Sequence, residues 1–250
     1  RIYEVKGRPA VKPLSLMVAG AEAFGRYCVE VPEAAYTLAS RFWPGPLTII
    51  LPRRPELPPE TTGGLDTVAI RFPSNRIARA LIEAGGGFVA APSANRSGRP
   101  SPTLAQYCRE DLDGRVDMII DGGQVGLGLE STIIDLTQDT PVILRPGFVT
   151  WEALREVLGD VNAGASFETA GEDEAPKAPG MKYRHYAPKG TLTVVEGEPR
   201  EAASYINEKV RDHRAAGLCT GVICTDETKA LYEADLVKTV KKELDFFKGV

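Results

Sequence analysis

The sequence predicts an α/β protein of two units, and three observations carry that expectation. Short apolar runs bounded by Pro and Gly alternate with segments of helical spacing over residues 1–159. Residues 160–180 then turn to Ala, Gly, Glu and Asp with few large apolar side chains, the composition of an extended interdomain linker. A strand, helix and strand pattern resumes over 191–250, which makes the second unit a smaller α/β domain.

Taken in order, the chain opens at Arg1 with a polar alternation that reads as strand. Leu14 to Val18 and Leu47 to Leu51 suit short buried strands, punctuated at both ends by Pro and Gly. Between them Glu33 to Phe42 has helical spacing and must stop at Trp43-Pro44-Gly45-Pro46, where two prolines forbid continuation. Further strands are expected at Thr67 to Phe72, Gly87 to Ala91, Val116 to Asp121, Thr132 to Leu136 and Val142 to Leu144. Helices are expected at Asn75 to Ala84, Thr103 to Asp111 and Thr150 to Leu158, with Ser101-Pro102 capping the second of these. Beyond the linker, Thr191 to Val195 reads as a strand, Arg200 to Ala216 as a helix and Gly221 to Thr225 as a strand, a βαβ start. The second unit is too short for a doubly wound sheet of ordinary domain size and the first residue is not Met, so the chain reads as truncated at both ends.

Composition narrows the function classes. At 250 residues, 43% hydrophobic and 26% charged, the chain can build two modest cores, and its net charge of −4 argues against nucleic-acid binding through a general basic surface. Cys28, Cys108, Cys219 and Cys224 form no C-x-x-C or Cys/His array, so neither a disulfide framework nor a zinc site is indicated and the compartment reads as cytoplasmic. No run approaches the roughly 18–20 apolar residues of a membrane span.

Fixed positive charge gathers beside turn residues in Lys6-Gly7-Arg8-Pro9, Arg71-Phe72-Pro73 and Arg145-Pro146-Gly147. Each flanks an expected strand, and strand ends are where α/β sheets place ligand sites. Guanidinium groups take carboxylate and phosphate oxygens in pairs, so converging cations imply an anionic ligand; any single segment could equally be a solvated surface charge. Ser93, Asn95, Ser97 and Ser101 add donors and acceptors on a loop shaped by Pro and Gly, of the kind that wraps phosphates or ribose. The Gly-rich run from Gly122 leads toward a strand, not a helix, and matches neither a Walker A nor a dinucleotide fingerprint, although Ser131 and Thr132 at its end could face a ligand. With only His185 and His213 in the chain and no G-x-S-x-G elbow, electrostatic stabilisation of phosphates suits these residues better than chemistry built on a His base.

A resemblance follows from these residues. Lys6-Gly7-Arg8-Pro9 with Lys12-Pro13-Leu14, Trp43-Pro44-Gly45-Pro46-Leu47-Thr48, Ala69-Ile70-Arg71-Phe72-Pro73, Ala91-Pro92-Ser93-Ala94-Asn95-Arg96-Ser97-Gly98, Glu130-Ser131-Thr132-Ile133-Ile134-Asp135 and Leu144-Arg145-Pro146-Gly147 stand in the order of the YrdC family. Pro179-Gly180-Met181-Lys182-Tyr183-Arg184-His185-Tyr186-Ala187-Pro188 resembles the linker of its two-domain members. The resemblance implies a YrdC-like twisted mixed sheet with helices over 1–159, a linker over 160–190, and a partial Rossmann-like domain over 191–250. Relatives carry a P-T-E-T-x-Y-G-L-G-like strand and loop upstream of the Lys-x-Arg segment, and this chain begins after it.

The activity implied is a nucleotidyltransferase reaction: L-threonine, bicarbonate and ATP, with Mg²⁺, give threonylcarbamoyl-adenylate and pyrophosphate on the way to threonylcarbamoyl-adenosine in tRNA. The resemblance places Lys6 and Arg8 on the ATP phosphates as catalytic cations, and Ser93, Asn95, Ser101, Ser131 and Arg145 around the nucleotide and product. It puts Arg71 on the threonine carboxylate, and Tyr183, Arg184, His185 and Tyr186 in a linker that gates the site. It implies downstream threonylcarbamoyl-transfer proteins as partners, while the lack of a long apolar run argues against membrane attachment and the acidic balance disfavours direct tRNA binding. Two other readings stand beside it. One is the YrdC-like carbamoyltransferase module of hydrogenase maturation, whose zinc fingers four scattered Cys cannot build. The other is a non-catalytic RNA-binding module, which the acidic balance disfavours.

Overall fold

The computed structural model describes residues 1–163 and 190–240, and the chain divides into two compact units, 1–187 and 188–250. The first holds helices α1 (Ile2–Lys6), α2 (Ala23–Tyr27), α3 (Glu33–Phe42), α4 (Pro59–Thr62), α5 (Arg76–Ala84), α6 (Ala105–Leu112) and α7 (Trp151–Leu158). Its strands are β1 (Ser15–Val18), β2 (Leu47–Pro52), β3 (Thr67–Arg71), β4 (Phe88–Ala91), β5 (Thr132–Asp135), β6 (Val142–Arg145) and β7 (Asn162–Ala163). They form one sheet in the order β4-β1-β3-β2-β5-β6-β7. It is mixed: β1 with β3, β2 with β5 and β6 with β7 are parallel, while β1 with β4, β2 with β3 and β5 with β6 are antiparallel.

Register sorts the side chains onto two faces. Leu16, Ile70, Ile49, Ile134 and Ile143 are successive cross-strand partners, so they stand in one row on one face. That row lies in the main core with Phe24 of α2, Leu38 of α3 and Leu154 of α7. Residues one position away point to the opposite face, because strand side chains alternate. Ser15, Met17, Ala69 and Arg71 are therefore turned from the helices, beside a smaller apolar cluster of Ile50, Ala69, Ile133 and Leu144.

Local chemistry sets several boundaries where the sequence places them. Helix α3 spans Glu33–Phe42 as expected and ends at Trp43, ahead of the cis Trp43-Pro44 bond. Asn75 caps α5 by accepting from the N–H groups of Ile77 and Ala78 at 3.0 Å each, and Thr150 caps α7 by accepting from Ala153 N–H at 3.3 Å.

Four expectations are corrected. The opening residues form the helical turn α1, not strand, closed by Gly7 at φ 60°, whose N–H donates to Glu4 O; over five residues a polar alternation does not separate the two. Val116 to Asp121 makes no strand: no described strand pairs with it, and Met118 and Ile120 are exposed. Thr191 to Val195 likewise has no ladder and leaves Leu192 and Val194 exposed. Helix α6 starts at Ala105 behind Leu104 without a side-chain cap, so Ser101-Pro102 is not its N-terminus; the Thr103 carbonyl instead accepts from Val125 N–H at 3.1 Å.

The second unit, in place of a strand-first βαβ start, has α8 (Pro199–Ala215) followed by β8 (Gly221–Thr225) and β9 (Leu236–Val240), which pair in parallel. Val210, Val222 and Cys224 form its core. Asp235 fastens the end of α8 to the sheet, accepting from Arg214 Nε at 2.8 Å and Thr220 N–H at 2.7 Å. Most of the expected linker, including Tyr183, Arg184, His185 and Tyr186, lies outside the described residues.

Candidate active site

On the sheet face away from α2, α3 and α7 lies a cavity of about 270 Å³. Its floor is the outward row of the sheet, Ser15 and Met17 of β1, Arg71 of β3 and Ala91 of β4, and its walls come from α1 and from the loops after β4 and before β5. The site thus lies across a sheet face as well as at strand ends, because antiparallel neighbours bring the last residues of β3 and β6 level with the first of β2 and β5. Of the twelve site residues that the resemblance implies, eight line it, Lys6, Arg8, Arg71, Ser93, Asn95, Ser101, Ser131 and Arg145, and the four of the linker lie outside the described residues.

Lys6, the last residue of α1, is 5% exposed, and its Nζ donates to the carbonyls of Ser93 and Asn95. The Lys6 carbonyl accepts in turn from Ser97 N–H at 2.9 Å. Two of three ammonium protons thus hold the loop after β4, a task the sequence does not announce. Burial, and then the neighbouring Arg8, push its pKa down to about 8. Arg8 donates from Nη2 to Pro13 O at 2.8 Å while its buried Nε has no partner; burial lowers its pKa as well.

Arg71 ends β3 and donates from Nε to Gly45 O at 3.1 Å. Its pKa is lowered by burial and then by Arg145, so two guanidinium groups share this end of the cavity. Arg145, ending β6, donates from Nε and Nη2 to Ser131 O and from Nη2 to Ser131 Oγ. Ser131 Oγ is also 2.7 Å from Thr48 Oγ1, a buried hydroxyl in β2.

Asn95 is 5% exposed; its Nδ2 donates to the carbonyls of Arg96 at 2.8 Å and Arg99 at 2.7 Å, and its Oδ1 has no partner. Thr48, Arg99 and Asp111 are functional candidates that sequence reading passes over. Arg99 lines the cavity, and Asp111 holds the loop from behind. A hydroxyl at Thr48 inside an otherwise apolar strand was the available signal.

The lining carries Lys6, Arg8, Arg71, Arg99 and Arg145 against one carboxylate, Glu130. Such a cavity suits a ligand with several anionic oxygens, and the Ser and Asn groups suit its hydroxyl and amine groups. Among the described residues no cluster of three or more His, Cys, Asp or Glu could hold a metal ion, and no helix is long and apolar enough to cross a membrane.

Comparison with known proteins agrees with this geometry. A family model for Sua5/YciO/YrdC proteins, described as telomere recombination, matches residues 1–147, and one for the C-terminal domain of threonylcarbamoyl-AMP synthase matches residues 149–246. A threonylcarbamoyl-AMP synthase of Pyrococcus abyssi is 45% identical over 247 residues, 98% of this chain and 72% of that protein. One of Bacillus subtilis is 44% identical over 240 residues, 96% of this chain and 68% of the relative. The crystal structure of P. abyssi Sua5 complexed with L-threonine superposes with a TM-score of 0.90 at 44% identity, covering 98% of this chain and 70% of that one.

Proposed function

Because the chain belongs to the Sua5/YciO/YrdC family, we propose that its cavity makes threonylcarbamoyl-AMP from L-threonine, bicarbonate and ATP. The observation that carries this reading is the meeting of five cations with the Ser and Asn groups of two loops in one cavity, on a fold whose relative is described with L-threonine bound. The threonine amine attacks the bicarbonate carbon and water leaves, giving a carbamate. A carbamate oxygen then attacks the α-phosphorus of ATP, and the bond to the β-phosphate oxygen breaks to release pyrophosphate. In this second step negative charge grows on phosphate oxygens, which is the charge that Lys6, Arg8 and Arg145 would stabilise.

Arg71 would take the threonine carboxylate, and Ser93, Asn95, Ser101 and Ser131 the nucleotide and acyl groups. Glu130 alone offers the cavity no metal cage, so Mg²⁺ would enter on the ATP phosphates as part of the substrate. The product is a mixed anhydride that needs a downstream acyl acceptor, and threonylcarbamoyl-transfer proteins acting on tRNA in the cytoplasm fit that need. The match of residues 149–246 to the synthase C-terminal domain favours this reading over the hydrogenase-maturation module.

The test is pyrophosphate release from ATP by this chain with threonine and bicarbonate each omitted in turn. Release that needs both, with threonylcarbamoyl-AMP identified by mass, supports the reading. Release indifferent to threonine would overturn it.

A further inference from the structure

The loop after β4 is held from two sides by opposite charges. On one side Lys6 Nζ donates to the carbonyls of Ser93 and Asn95. On the other, Asp111 Oδ2 accepts from Arg96 N–H at 3.0 Å while its Oδ1 pairs with Arg99 Nη1 at 2.6 Å. Between these anchors Asn95 spends both amide protons on the Arg96 and Arg99 carbonyls, so only its unpartnered Oδ1 remains for a ligand.

Asp111 occupies an expensive place for a carboxylate. It is 7% exposed, and it sits in the last turn of α6, where the carbonyl end of a helix is already negative. Each of its oxygens is matched to a group of the loop, so its charge is compensated when residues 96–99 take this shape. The same coupling read in reverse means that the carboxylate stabilises that shape. Asp111 does not line the cavity itself.

We propose that Asp111 is a positioning residue: it sets the loop so that Ser93 and Asn95 meet the nucleotide, with Asn95 presented as an acceptor for a ligand hydroxyl or amine. This rests on the nucleotide reading of the cavity. Arg71 belongs to β3, bonds to Gly45 O and shares no contact with Asp111, so threonine binding should not depend on this residue.

The test compares wild type with Asp111→Asn by calorimetry with ATP and with threonine, and by amide hydrogen exchange. ATP binding should weaken about tenfold, the loss of one charge-assisted anchor, with threonine affinity unchanged. Exchange should quicken at Arg96 and Ser97 and stay constant at Ile49 to Leu51. Unchanged ATP affinity overturns the proposal, and so does equal loss for both ligands with faster exchange in β2, which would mark a structural role. If wild type binds no ATP, the nucleotide reading fails, while exchange at Arg96 and Ser97 still decides whether Asp111 holds the loop. Should Asp111→Asn not fold, Asp111→Glu keeps the charge one methylene further out and should show the same selectivity at smaller size; wild-type ATP affinity there overturns the proposal.

Discussion

Arg145 lays its guanidinium on Ser131, with Nε and Nη2 donating to the Ser131 carbonyl at 3.1 and 2.8 Å and Nη2 reaching Ser131 Oγ at 3.0 Å. These bonds fix a planar fork at the end of β6, beside Arg71, and so pre-position positive charge where a phosphate or carboxylate would sit.

Arg145→Ala should weaken ATP binding by about 10- to 100-fold, the range for a charge-assisted contact of roughly 1.5–3 kcal/mol. Arg145→Lys should recover little of this, because a single ammonium cannot hold two Ser131 oxygens and also face a ligand in the same geometry. Titration calorimetry on the folded variants checks both, and a lysine variant as tight as wild type would reduce Arg145 to a point charge.

Thr48 stands behind that fork. Its hydroxyl and that of Ser131 are 2.7 Å apart and buried, although the residues are 83 positions apart in sequence. Thr48→Val keeps the shape and removes the bond, leaving a buried hydroxyl short of a partner at a cost of about 1–3 kcal/mol. Thermal unfolding should register the cost, and the KM for ATP should rise as Ser131 loosens under Arg145. A lower melting temperature with unchanged KM would make Thr48 a folding residue alone.

Gly147 is the close approach that the Arg145-Pro146-Gly147 turn requires. A Cβ there would stand 2.5 Å from Glu130 O and 2.5 Å from Thr132 N, both backbone atoms that no rotamer change can move. Gly147→Ala should therefore push β6 and the Ser131 segment apart and cost about 1–3 kcal/mol. Calorimetry should find a lower melting temperature and weaker ATP binding together. Stability lost without any change in ATP binding would separate the turn from the site.

Which of these features the sequence discloses depends on the range of the interaction. The Asn75 and Thr150 caps and the end of α3 are written in neighbouring residues, so reading in order finds them. Val116 to Asp121 and Thr191 to Val195 have strand-like residues, yet a strand also needs a ladder, and partners are chosen by the whole chain. The cavity was legible because its cations and hydroxyls sit in short motifs with Pro and Gly. Asp111 was not, and Thr48 showed only as a lone hydroxyl in an apolar strand, since each acquires its role from a group brought near by folding. Arg71 was legible, but that it shares its face with Met17, opposite α2, α3 and α7, is shown only by the register.

The last prediction concerns Lys6 and pH. Burial, with Arg8 as the second cause, brings its pKa to about 8, below the ordinary lysine value of 10.5. Between those values the unfolded chain holds a proton that the folded chain has released, so the Lys6 contribution to folding stability should rise as pH increases from about 8 to 10.5. ATP affinity should move the opposite way, because a neutral amine at Lys6 offers phosphate no positive charge. Lys6→Met should remove both trends, and subtracting the variant curve from the wild-type curve separates them from the opposite slope of Cys28, whose thiol burial pushes up to about 12. Chemical denaturation and ATP titration across that range measure the two trends. If the wild-type and Lys6→Met stability curves run parallel, Lys6 keeps its proton in the folded protein, and its bonds to the Ser93 and Asn95 carbonyls outweigh the cost of burial.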